Sequence, residues 1–198
     1  MKIRLVLAAL LCSVFFLSCS EMNEFSKLEG ITVFSYNEDI GVIALDGTIN
    51  SKAFDDLKKV AQAHPEVKTI HIINCDGSIN DDVNLSLSRY VYENDFNTVL
   101  KEGGMVASGG TDFFLAGNKR TLEKNVMLGV HSWSDGKKHA TDFPRGHNNH
   151  MPYIAYYQSV GMSKQEAEEF YYFTINAAAH DDIHWMAAEE LVKYNFER

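Results

Sequence analysis

Short apolar runs alternate with amphipathic stretches along most of this 198-residue chain. Runs rich in β-branched and aromatic residues, typical of strands, occur at 31–36, 41–45, 68–74 and 126–131, with shorter apolar pieces at 98–100 and 104–107. Apolar residues recur at helical spacing in 51–64, 81–96, 151–160, 164–176 and 187–194. Strands that alternate with amphipathic helices predict an α/β fold with a largely parallel sheet flanked by helices.

Three of the loops that follow predicted strands hold residues suited to acyl chemistry. Gly77-Ser78 follows the strand at 68–74, Ser108-Gly109 follows 104–107, and His131 closes 126–131. Parallel sheets bind ligands at the carboxyl ends of their strands, so these loops are expected to meet. A serine nucleophile needs a base and N–H donors for the oxyanion. Spacing alone leaves two interpretations open, a Ser108–His131 catalytic pair or a turn serine and a structural histidine.

The first 19 residues form a separate pattern. Lys2 and Arg4 precede an apolar run at 5–17, which is too short for a comfortable membrane span and ends at Ser18-Cys19. This arrangement resembles a bacterial lipobox. It implies a lipoprotein signal peptide at 1–18, a lipidated tether at 19–30 that begins with acylated Cys19, and a single domain at 31–198. An ordinary cleaved signal or an N-terminal anchor helix remains the alternative. The expected location is the bacterial cell envelope, on the periplasmic or outer-membrane face.

Removal of residues 1–18 changes the charge and the cysteine content. Lys2 and Arg4 leave with the signal, so 16 of the 18 basic residues remain against 27 acidic ones, and the net charge becomes −11. That balance disfavours a nucleic-acid partner. Cys12 is also removed and Cys19 carries lipid, which leaves Cys75 without a disulfide partner and predicts that it is buried. No cofactor is predicted.

Four segments in this order resemble the superfamily of the Clp-protease proteolytic subunit and crotonase, including its periplasmic serine-protease relatives. They are Asn74-Cys75-Asp76-Gly77-Ser78, Val106-Ala107-Ser108-Gly109-Gly110, Met127-Leu128-Gly129-Val130-His131, and 185–195 with its Met-Ala-Ala-Glu-Glu core. The resemblance covers about residues 40–198. It implies a fold of repeated β-β-α units.

The resemblance also implies roles for individual residues. Ser108 is expected to be the nucleophile and His131 the base, while Gly109 with Gly77 or Ser78 binds the oxyanion. An ungapped match puts Ile183 at the position of the third triad member, and a shift of one residue would make Asp182 the acid that orients His131. Loss of the orienting acid costs several orders of magnitude in rate in such triads.

The function that follows is an envelope-anchored serine hydrolase, an ATP-independent peptidase acting on peptide or protein substrates. Its membrane contact is through the N-terminal lipid, and the superfamily favours homo-oligomers. The alternative is a non-catalytic lipoprotein that uses the same fold for binding or assembly. Acyl-CoA chemistry fits poorly, because crotonases lack this Ser/His pair and CoA is not expected outside the cytoplasm.

The remaining histidines and aromatic residues allow further interpretations. His180 and His184 have the i, i+4 spacing of a helical metal site but lack the glutamate of a zincin helix, and His147 and His150 lie in the polar loop at 132–150. We therefore predict no metal. For the tyrosines and phenylalanines between 153 and 173, the interpretations are a peptide groove, packing in the core or an oligomer interface.

Overall fold

The computed structural model of the protein describes Ile31 and residues 33–198, and residues 33–198 form one compact unit. The predicted signal peptide at 1–18, the tether at 19–30 and Cys19 lie outside the described residues. Within the described part, no helix combines the length and the apolar content needed to cross a membrane.

The strands of the described residues form one seven-stranded sheet. They are β1 Phe34–Asn37, β2 Val42–Asp46, β3 Thr69–Cys75, β4 Asn97–Ala107, β5 Arg120–Leu122, β6 Met127–Val130 and β7 His184–Trp185. The order is β1-β2-β3-β4-β6-β7, with β5 also paired to β4. The four pairings between β2 and β6 are parallel, and those of the outer β1 and β7 are antiparallel. This confirms the predicted α/β fold with a largely parallel sheet.

Helices flank this sheet, and polar side chains define where several of them begin. They are α1 Ala53–Ala63, α2 Asp81–Glu93, α3 Gly109–Leu115, α4 Met151–Ser159, α5 Lys164–Ala177 and α6 Ala188–Lys193, with 3-10 turns at Ala140–Asp142 and Asn148–His150. Asn80 caps α2 by accepting a hydrogen bond from the Val83 N–H, and Ser163 caps α5 in a capping box with Glu166.

The structure differs from the predicted elements at four places. The pieces at 98–100 and 104–107 belong to the single strand β4, which has a register shift where Gly104 approaches the backbone of β3. Strands β5 and β7 have three and two residues, too few to produce a sequence pattern. Helix α2 ends at Glu93 because Asp95 adopts a left-handed conformation, with φ of 59°.

The parallel strands bury their apolar side chains against the helices and end at a common edge. Ile72, Val106 and Leu128, on the adjacent strands β3, β4 and β6, are all buried. Cys75, the last residue of β3, is fully buried and free, as predicted. Burial raises the pKa of its thiol to about 12, so it stays protonated. The residues that follow β3, β4 and β6 form the site described next.

Candidate active site

Ser108 occupies a strained turn between β4 and α3. Its φ of 52° and ψ of −128° are those of the first central residue of a type II′ turn, where glycine is favoured. A residue of another type held in such a conformation costs about 1–3 kcal/mol, and such outliers cluster at functional sites. The Ser108 N–H and the Thr111 hydroxyl both donate to the Gly129 carbonyl, at 3.0 and 2.8 Å. These bonds fix the turn against β6.

The three predicted oxyanion residues lie directly around Ser108. A Cβ placed on Gly77 would lie 3.3 Å from the Ser108 Cβ, and one on Gly109 would lie 2.3 Å from the Ser78 Oγ. Within the described residues, the N–H groups of Gly77 and Ser78 have no hydrogen-bond acceptor. The Gly109 N–H is in the first turn of α3, where a helix supplies no acceptor. All three are therefore free to donate to a ligand oxygen.

His131 follows β6 and is half-buried at the same edge of the sheet. Its Nδ1 lies 3.0 Å from the His180 carbonyl oxygen. A carbonyl can only accept, so Nδ1 carries the proton and Nε2 is left as the proton acceptor. Burial lowers the pKa of His131, and the bond to His180 and the charge of Asp81 oppose that shift in part. The neutral imidazole thus prevails at neutral pH.

The structure does not bring Asp182 to His131. The Asp182 carboxylate is exposed and accepts a hydrogen bond from the Ile183 N–H at 2.8 Å. Ile183 packs on Gly129 so closely that a Cβ on this glycine would lie 2.6 Å from the Ile183 Cγ2. Asp182 lies in a turn in which its N–H donates to the Ala179 carbonyl at 3.2 Å, and no hydrogen bond joins its carboxylate to the His131 ring among the described residues. The His180 carbonyl holds His131 in place of a carboxylate.

Ser108 and His131 line one small cavity of about 50 Å³. No hydrogen bond joins the Ser108 hydroxyl to the His131 ring in the described part of the chain. The other lining residues are acidic, aromatic or apolar and comprise Asp81, Gly109, Asp112, Val130, Trp133, Tyr153, Tyr157, Tyr171, Thr174 and Ile175. The cavity therefore holds the predicted nucleophile, the predicted base and one predicted oxyanion donor.

Three residues of the site were missed by the sequence reasoning. Asn84 is buried and donates from Nδ2 to the Gly109 carbonyl at 2.9 Å, which holds the nucleophile turn against α2. Asp81 accepts from the Ser78 hydroxyl at 2.7 Å and from the Tyr153 hydroxyl at 2.6 Å. Asp112 accepts from Tyr157 at 2.6 Å. Only Asp112 left a signal, since it lies four residues after Ser108 and so on the same helix face.

The other histidines have different contacts and do not form one cluster. His180 packs against His139 with the rings tilted and their centroids 4.4 Å apart, whereas His184 bonds the Glu190 carboxylate at 2.8 Å. His150 is buried, and its Nδ1 lies 2.6 Å from the Tyr171 hydroxyl. Within the described residues, no three histidine, cysteine or acidic side chains are grouped as metal ligands.

The aromatic cluster divides between the cavity and the core. Tyr153, Tyr157 and Tyr171 line the cavity, while Tyr156 and Phe170 are buried in the core. Trp133 joins the lining group, stacking on Tyr153, which in turn stacks on Tyr171, at centroid distances of 6.1 and 5.7 Å.

Comparisons with known proteins show similarity in structure. The chain matches ClpP1 from Listeria monocytogenes with a TM-score of 0.52 and 18% identity, over 79% of this chain and 88% of that one. It matches the membrane-bound stomatin-specific protease 1510-N from Pyrococcus horikoshii, in complex with a substrate peptide, with a TM-score of 0.51 and 19% identity, over 78% and 71% of the two chains. No family model matches the sequence, and no curated protein matches it. The chain thus has the ClpP-like serine-protease fold that its sequence motifs predicted.

Proposed function

We propose that this protein is a serine peptidase that works without ATP, with Ser108 as nucleophile and His131 as base. One observation carries the proposal. A serine in a strained turn shares its cavity with a neutral histidine and lies beside Gly77, Ser78 and Gly109, whose N–H groups have no acceptor among the described residues. A nucleophile, a base and oxyanion donors at one edge of the sheet are the groups that acyl transfer requires.

The proposed reaction uses these parts in order. The Ser108 Oγ attacks the scissile carbonyl carbon as its proton passes to the His131 Nε2. The carbonyl oxygen becomes an oxyanion and accepts hydrogen bonds from the N–H of Gly109 and that of Gly77 or Ser78. His131 then gives the proton to the leaving amine, and water hydrolyses the acyl-enzyme by the same route in reverse.

The His180 carbonyl performs part of the task of a triad acid. It fixes the productive tautomer of His131. In a complete triad, replacing the aspartate leaves the wrong tautomer and lowers kcat by about 10⁴-fold. It brings no full negative charge to stabilise the imidazolium that forms. We therefore expect a slower enzyme than a complete triad would give, with the same division of roles.

Labelling with a fluorophosphonate tests the nucleophile. The wild type should become phosphonylated on one serine, with loss of fluoride, whereas Ser108→Ala should not react. Ser86→Ala is the matched control, because Ser86 is exposed on α2 outside the cavity. If the wild type stays unlabelled where a control hydrolase reacts, the peptidase proposal fails. If Ser108→Ala is still labelled, another serine is the nucleophile.

The lipid anchor on Cys19 is part of the same proposal. It is supported by the order of basic residues, apolar run and cysteine in residues 1–19. An envelope address separates the peptidase from ATP-driven unfoldases, so its substrates are short or already extended segments. Metabolic labelling with an alkynyl fatty acid should mark the wild type and Cys12→Ala but not Cys19→Ala. Equal labelling of all three would contradict acylation at Cys19.

A binding protein with the same fold is the second candidate, and Asp81 favours it. The Asp81 carboxylate bonds the Ser78 hydroxyl beside the proposed oxyanion donors, and a fixed negative charge there opposes an oxyanion. Retained peptide binding by a wild type that is never labelled would identify this alternative.

A further inference from the structure

The cavity beside Ser108 has an unbalanced charge. Asp81 and Asp112 line it, and no lysine or arginine does. Neither carboxylate forms an ion pair within the described part of the chain. Asp81 is exposed, but Asp112 is largely removed from water, and a desolvated carboxylate without a countercharge is unfavourable. The cavity is therefore suited to a cation.

Asp112 is held in place from α4. The Tyr157 hydroxyl donates to its Oδ1, and the Tyr156 hydroxyl donates to its backbone carbonyl. The described residues provide no hydrogen-bond partner for Oδ2, the second oxygen of this carboxylate. One oxygen is thus fixed by the fold and the other is left for a ligand.

The remaining walls suit a cation and are not charged themselves. Burial raises the pKa values of Tyr153, Tyr157 and Tyr171 well above the ordinary tyrosine value, which keeps the phenols neutral. Aromatic rings attract cations, and this attraction is stronger where water is excluded. The net charge of −9 for the whole chain also steers basic ligands toward the protein.

We propose that this cavity binds the ammonium group of a lysine side chain, from the substrate residue whose carbonyl Ser108 attacks. This inference rests on the proposed peptidase function for its placement of the lysine. Ser108 precedes α3, and Asp112 follows it by one helical turn, with the Asp112 N–H 3.4 Å from the Ser108 carbonyl oxygen. Side-chain origins at this separation lie about 5–6 Å apart. The four-carbon stem of lysine spans about the same distance. The volume of about 50 Å³ fits a compact ammonium better than a planar guanidinium.

The protonation state of Asp112 should make the preference for lysine over a neutral side chain depend on pH. Burial raises the pKa of its carboxyl to about 7 despite the Tyr157 bond, and the charge of Asp81 adds to the rise. The other titratable groups that face this region are His131 and the neutral phenols of Tyr153, Tyr156, Tyr157 and Tyr171. An ammonium stabilises the ionised carboxylate, so the preference for lysine over a neutral side chain should grow as the pH rises through about 7.

A pair of peptidyl phosphonates tests the inference on the intact protein. One ends in the lysine analogue and the other in the norleucine analogue, whose four-carbon side chain lacks the ammonium. Intact-mass measurements give the rate of Ser108 phosphonylation. We expect the lysine phosphonate to react at least about tenfold faster than the norleucine phosphonate. A tenfold ratio corresponds to a difference of about 1.4 kcal/mol in activation free energy. Asp112→Asn should bring the ratio close to one, Asp81→Asn should lower it in part, and Asp182→Asn should leave it unchanged.

Binding to Ser108→Ala separates this inference from the peptidase proposal. NMR titration with N-acetyl-lysine methylamide and its norleucine counterpart needs no catalysis. Lysine binding that is lost in the Ser108→Ala, Asp112→Asn double variant would support the inference even if phosphonates never label the wild type. Equal binding of both ligands overturns it even if Ser108 is labelled. If Asp112→Asn does not fold, the same decision rests on Asp81→Asn and on the wild-type lysine-to-norleucine ratio.

Discussion

The two sides of the candidate site are held by different means. The nucleophile turn is packed so closely that a Cβ on Gly109 or Gly110 would lie 2.3 Å from the Ser78 Oγ or 2.4 Å from the Cys75 carbonyl oxygen. On the other side, the described residues orient the His131 ring through a hydrogen bond to the backbone of His180, which is exposed. Dense packing therefore fixes the serine, whereas polar contacts to an exposed segment orient the histidine.

This difference predicts which substitutions should affect both stability and reactivity and which should affect reactivity alone. Close-packed interiors transmit small changes in volume into shifts of the backbone. An exposed segment with one key contact can vary without cost to the core. Variants of the nucleophile turn should thus lose stability and reactivity together, and variants on the histidine side should lose reactivity alone.

The largest expected effect is on the histidine side. His131→Ala should lower fluorophosphonate labelling by about 10²–10⁴-fold, the usual contribution of a general base, with little change in the melting temperature. In the wild type, the rate should rise with pH as the imidazole loses its proton. Its midpoint should lie below the ordinary histidine pKa of about 6.5, because burial lowers it.

His64→Ala is the control, since His64 lies at the end of α1 and stacks on Tyr36. A labelling rate that is equally slow in both variants, or a pH profile without a rise, would contradict the assignment of His131 as base.

The next effect tests the packed side. Gly109→Ala must displace Ser78 and Asn84, so we expect a loss of about 1–3 kcal/mol in the free energy of unfolding. Labelling should fall by about 10²–10³-fold as the N–H donors move apart. Chemical denaturation and probe kinetics measure the two losses.

Gly136→Ala provides the control for backbone conformation alone. Gly136 has φ of 83° with nothing near its Cβ position, so alanine is strained there without a clash. A Gly109→Ala protein as stable and reactive as this control would show that the nucleophile turn is not tightly packed.

A smaller effect isolates the strain at Ser108. Ser108→Gly should be more stable than Ser108→Ala by about 1 kcal/mol, because glycine adopts the positive φ without penalty. Both variants lack the hydroxyl and should stay unlabelled. Thermal unfolding under identical conditions gives the difference, and equal melting temperatures would mean that the turn relaxes once the hydroxyl is gone.

The smallest expected effect is at Asp182. Asp182→Ala should change the labelling rate by less than about threefold, as is usual for an exposed group without a partner in the site. A loss of two orders of magnitude would show that this carboxylate moves onto His131 in the working enzyme, and the two sides would then be more alike.

The same difference explains which features could be predicted from the sequence. The fold and the position of Ser108 depend on apolar strands and on glycines at turns, and both appear as local patterns. Ile183, the neighbour of Asp182, packs on Gly129, more than 50 residues away in sequence. Asp81 looked like an ordinary residue at a helix start, and only the arrangement of α2 against α3 places it in the cavity. Contacts of this kind leave no local pattern.

The reactivity of the buried Cys75 thiol reports on opening of the nucleophile turn. A Cβ on Gly110 would lie 2.8 Å from the Cys75 Sγ, so the nucleophile turn covers this thiol. A protonated, covered thiol does not react with alkylating reagents until the turn lifts. The rate at which a small alkylating reagent modifies Cys75 in the native protein therefore measures how often the turn opens. A bound peptide should lower this rate.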